Sequence, residues 1–101
     1  HDGGAGTVHA NSTAEIPARL EALGALGGLD RAALHAQLWA AVRVLLHVAR
    51  DREGQRRLTE VSVLDRGGPD NTCRVVPAWR AGEGIGAGMA ALRALLRDRL
   101  I

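Results

Sequence analysis

At 101 residues and 10.6 kDa the chain is one domain or part of one, long enough to bury roughly two-thirds of its unfolded surface. Hydrophobic residues make up 47% and charged residues 24%, which excludes the low-hydrophobicity, high-charge class of disordered chains. The net charge of +2 excludes a strong field for nucleic acid or membrane, since the pI of 9.9 reflects arginines that hardly titrate.

All 13 basic residues are arginine, which together with the many alanines and glycines reads as the codon bias of a GC-rich genome. A single cysteine, Cys73, has no internal disulfide partner and suits a reducing compartment. The longest apolar run, 38–49, is broken by Arg43 and His47 and is too short to span a bilayer, so no membrane insertion is expected. The chain begins without methionine, and we read it as a piece of a longer protein.

In chain order, residues 1–12 read His-Asp-Gly-Gly-Ala-Gly-Thr-Val-His-Ala-Asn-Ser, ending in a strand-like run at 7–10. Ser12-Thr13-Ala14-Glu15 fits a capping box and predicts a helix from about 14 to 24, with Ile16, Leu20 and Leu23 on one face and Pro17 a mild conflict in the first turn. Glycines at 24, 27 and 28 end it, and Asp30 caps a second helix over 31–42 marked by Leu34, Leu38 and Val42. The valine-rich run 44–48 reads as a buried strand, 57–64 as its hairpin partner across a turn at 51–54, and 72–79 as a third strand interrupted near Pro77. Gly67-Gly68-Pro69-Asp70-Asn71 is the strongest turn signal, and Ile85, Met89, Leu92 and Leu96 mark a last helix, with Arg93, Arg97 and Arg99 toward water.

The chemistry concentrates at His1 and His9. Asp2 is adjacent to His1 and no third ligand clusters with the two histidines, which argues against a closed metal site. An imidazole beside a helix start is better suited to hydrogen-bonding an anion such as a phosphate.

The order His1, Gly3, Thr7 and His9-Ala10-Asn11-Ser12 resembles the histidine box of the secretion ATPase superfamily, most closely its CpaF/TadA branch. The downstream layout is also similar: Arg19-Leu20-Glu21-Ala22-Leu23, a second helix, an apolar strand ending in Arg50, and Arg56-Arg57-Leu58-Thr59-Glu60-Val61 after a turn. The resemblance covers about residues 1–65 and departs from the family at Gly4-Ala5-Gly6. It implies an α/β fold, the C-terminal part of a RecA-like P-loop ATPase domain, in β-α-α-β-β-β-α order with a terminal antiparallel meander. On that reading 1–12 is the histidine box, 13–42 two helices, 43–80 antiparallel strands and 82–101 the C-terminal helix.

What the resemblance implies of function is a motor for pilus assembly or type II/IV secretion, commonly a hexameric ring. It would be cytoplasmic, at the inner face of the membrane, against platform proteins of the secretion or pilus apparatus. His9 and His1 would carry the catalytic role and Thr7, Asn11 and Ser12 would share in coupling nucleotide state to subunit movement. ATP and magnesium would belong to the complete protein alone. A Walker A loop needs a lysine and this chain has none, so it is expected to bind no nucleotide and to be inactive alone. The first strand would lie in a sheet whose other strands are elsewhere, leaving an unpaired edge.

Three other patterns compete. Gly82-x-Gly84-x-x-Ala87 matches a dinucleotide fingerprint, but no acidic residue follows about twenty positions on, and a flexible join to the last helix is the simpler reading. Two helices followed by a hairpin with Arg50, Arg52, Arg56 and Arg57 have the outline of a winged-helix DNA-binding module, although Arg31, His35 and Gln37 make a poor base-reading face and a solvated turn balanced by Asp51 and Glu53 is favoured. A non-catalytic interaction domain using Leu92 and Leu96 is the third alternative. His35 and His47 read as ordinary core or surface residues, Trp39 and Trp79 as core, and Glu60 as a possible buried partner for an arginine whose exposure the alternation leaves open.

Overall fold

The computed structural model describes residues 6–67 and 72–100, with side chains in the last helix described as far as Arg97. His1 and most of the 67–71 turn signal therefore lie outside the described residues. The fold is mixed α/β: α1 (Ile16–Leu26), α2 (Arg31–Ala41), β1 (Val44–Arg50), β2 (Arg56–Asp65), β3 (Arg74–Arg80), β4 (Gly84–Ile85) and α3 (Met89–Leu100), with a 3-10 turn at Thr13–Glu15 leading into α1. The four strands form one antiparallel sheet in sequence order.

Local chemistry accounts for most boundaries. The Asp30 carboxylate accepts from the Ala33 N–H at 2.8 Å and starts α2 as its sequence requires. Pro17 sits in the first turn of α1, where the missing N–H costs no helical hydrogen bond. The capping box is displaced by one residue: Glu15 reaches back to the Asn11 N–H at 2.8 Å, whereas Ser12 makes no side-chain cap, and the chain takes a 3-10 turn before α1. The Asp51 carboxylate accepts from the Glu53 and Gln55 N–H groups and pairs with Arg57 at 2.7 Å, closing the β1–β2 turn.

Two expectations are corrected. Residues 6–10 form no strand, because none of the described strands pairs with them to take up their backbone hydrogen bonds; the observed order is α-α-β-β-β-β-α. Nor is 82–86 a flexible join, since β4 pairs Ile85 with Trp79 and Gly84 with Arg80. Ile85 thus belongs to β4 and is 65% exposed. Gly86 and Gly88 lie on the β3 backbone, where a Cβ would stand 2.5 Å from the Pro77 carbonyl oxygen and 2.6 Å from that of Val76. Their N–H groups instead donate to the Ala78 and Pro77 carbonyls at 2.8 Å. Packing against the backbone thereby accounts for two of the glycines in this stretch.

β3 accommodates Pro77 through a change of register, with Ser62 opposite Pro77 and Val61 opposite Trp79. Strand alternation divides the packing between two faces. Leu64, with Leu45 and Val75, meets Leu34 and Leu38 of α2 and the buried Cys73 in the core, while Val63 lies against the Gly88 turn that starts α3. β1 pairs only with β2 among the described strands, and its Val44, Leu46 and Val48 are 36%, 64% and 52% exposed. An open edge is thus present, at β1 and not at 7–10.

Candidate functional site

The segment that carries Thr7, His9, Asn11 and Ser12 runs along an open groove of about 1100 Å³ that is also lined by β1 and by Ile16, Leu20 and Leu96. Thr7, His9 and Asn11 are exposed and Ser12 is half-buried. The groove is mostly apolar, so it offers the segment's polar side chains few hydrogen-bond partners.

Although 6–10 lacks sheet pairing, the chain just after it is held firmly. Glu60, on β2, is buried at 8% exposure and receives the Thr13 N–H on one carboxylate oxygen at 3.2 Å. Its other oxygen receives Arg80 Nε at 3.0 Å and the Thr13 hydroxyl at 3.4 Å. Thr13 Oγ1 also stands 2.8 Å from Ser62 Oγ, and both residues are almost fully buried. Burial pushes the Glu60 carboxyl up, but the Arg80 guanidinium and the Thr13 hydrogen bonds outweigh it and hold the group below the usual glutamate range. Arg80 is correspondingly raised by Glu60, and it also lies 3.5 Å from Glu83.

His47 is the second anchor. Its Nε2 is 3.1 Å from the Ala10 carbonyl and its Nδ1 2.8 Å from Thr59 Oγ1, while the Thr59 hydroxyl is 3.1 Å from the His47 carbonyl. The bond to Ala10 requires a proton on Nε2, because a carbonyl only accepts. No local pattern singles out His47, since the partner that reveals its role is a backbone atom 37 positions away. Glu60 was more legible: an acidic residue inside an apolar strand called for an arginine partner, and that partner is Arg80.

His35 is a core histidine. Its Nδ1 accepts from the Cys73 N–H at 2.9 Å, so its Nε2 carries the proton it gives to Glu21 at 2.6 Å. The His35 hydrogen bond, followed by Arg31, lowers the Glu21 carboxyl. Two of the three polar side chains available for base reading on α2, Arg31 and His35, are therefore occupied by Glu21, which weakens the winged-helix reading. Among the described residues no three His, Cys, Asp or Glu side chains are grouped to hold a metal, and no helix is long and apolar enough to cross a membrane.

Two proteins of Mycobacterium tuberculosis, from strains CDC 1551 and ATCC 25618 and both named for an inferred role in conjugal transfer, are 62% identical to the chain over 99 residues. The chain is their homologue. The match takes in 98% of this chain and 28% of each relative, so the chain spans little more than a quarter of their length. No family model matches the chain, and no solved structure matches it. The homology extends beyond residue 65, where the histidine-box resemblance stops, and so takes in β3, β4 and most of α3.

Proposed function

We propose that the chain is the C-terminal part of the motor domain of an ATP-hydrolysing protein that drives conjugal transfer, secretion or pilus assembly. In it the segment with Thr7, His9, Asn11 and Ser12, and His1 before it, couples nucleotide state to subunit movement. The observation that carries this reading is the 62% identity, over nearly the whole chain, to part of two proteins named for conjugal transfer. The His9-Ala10-Asn11-Ser12 sequence supplies the chemistry: an imidazole and short polar groups that hydrogen-bond a phosphate oxygen.

The open β1 edge and the groove support the view that the domain is completed by other parts of a longer polypeptide. An apolar strand edge left unpaired is a liability that a finished protein covers. ATP and magnesium would be held by residues outside this chain, which has no lysine for a phosphate loop. The RecA-like sheet, the ring, the platform partners and the position at the inner face of the membrane follow from the same reading. The test is magnesium-dependent ATP hydrolysis by the complete protein: turnover is expected, and its absence from an assembled, nucleotide-loaded preparation contradicts the proposal.

A further inference from the structure

Glu60, Thr13 and Ser62 form a buried polar cluster, with the partly exposed Arg80 at its rim, that the coupling chemistry itself does not use. It joins three elements: the 3-10 turn after the histidine segment, the middle of β2 and the end of β3. We propose that Glu60 is a positioning residue for the segment carrying Thr7, His9, Asn11 and Ser12, fixing where that segment stands relative to β1 and β2. The role in turnover rests on the coupling reading above; the grip on the segment does not.

The two carboxylate oxygens are divided between tasks. One takes the Thr13 N–H, and the other takes the Arg80 guanidinium together with the Thr13 hydroxyl. Thr13 is four residues from His9, and the stretch between them is tied at Ala10 by His47 and at the Asn11 N–H by Glu15. Residues 6–10 have no sheet ladder, so these side chains do the work that strand pairing does elsewhere. Arg80 neutralises the carboxylate that would otherwise be buried unpaired, and the pair lets an acceptor sit where the Thr13 N–H needs one.

Glutamine in place of Glu60 turns one acceptor oxygen into an NH2 group, which meets a donor whether it stands toward the Thr13 N–H or toward Arg80. In the complete protein, Glu60→Gln is therefore expected to speed amide hydrogen exchange at Asn11–Glu15 by about tenfold or more, with Val63 and Leu64 in β2 unchanged. Turnover of ATP should fall by a similar factor while KM stays within about twofold, since nucleotide binding lies elsewhere. Glu60→Asp, which keeps both oxygens on a shorter arm, should recover part of both. Thr13→Val, which removes the hydroxyl and keeps the N–H, is the milder companion and decides the matter if the Val63 and Leu64 amides show that Glu60→Gln disturbs the whole fold.

Unchanged exchange at Asn11–Glu15 in the folded variants overturns the proposal. So does faster exchange with normal turnover, in a protein whose turnover His9→Ala does lower. If His9→Ala leaves turnover intact, the coupling reading fails by itself, and the exchange measurement still decides whether Glu60 holds the segment.

Discussion

Glu60, Glu21 and Asp51 contribute to the acid sensitivity of this chain, because all three carboxyls are held below the usual range by hydrogen-bond partners in the folded state. An unfolded chain then binds more protons than the folded one, so their contribution is complete above the unfolded value and is lost as pH falls through the lowered folded values. Urea midpoints measured downward from neutral pH should fall in acid, and Glu60→Gln should flatten part of that slope; an unaltered slope would mean that Glu60 is not held low. His35 gives a second test, made at one fixed neutral pH. His35→Phe fills the space but orphans the buried Cys73 N–H, and should lower unfolding stability by about 1–3 kcal/mol. A loss well below that range would show that Cys73 finds another acceptor.

The elements were legible where local chemistry decides them. Asp30 before α2, the glycines after α1 and the valine-rich run of β1 each carry their structural cause within a few residues. What escaped depends on distant partners. Thr7–Ala10 has strand composition, but composition cannot supply a neighbour, and the groove beside it is open. β4 is two residues long and exists because Gly86 and Gly88 let the following turn lie on β3, a closeness no propensity announces. Gly88→Ala drives a methyl into the Val76 and Pro77 carbonyls and Val63, and should cost about 1–3 kcal/mol in chemical denaturation; a neutral result would show that the turn shifts freely. The candidate site divides the same way: His9, Asn11 and Ser12 are proposed from their motif, whereas the His47 grip on the Ala10 carbonyl appears only in three dimensions.

At the scale of the molecule, the unsatisfied feature is the wall formed by β1. Val44, Leu46 and Val48 expose apolar surface at a strand edge along a groove that is also lined by Thr7, His9 and Ser12. If the rest of a longer protein packs there, Leu46→Glu should lower the unfolding temperature of the complete protein by several degrees, as expected for burying an unpaired charge. An unchanged unfolding temperature would leave this face outside the assembled core. Side chains on β1, β2 and β3 hold the histidine segment, and under the proposed function nucleotide chemistry would come to it from residues elsewhere in the protein. The most direct measurement is steady-state ATP turnover of the complete protein with and without His9→Ala. The account predicts a drop of about tenfold or more with nucleotide still bound; equal turnover in a folded, assembled variant would contradict it.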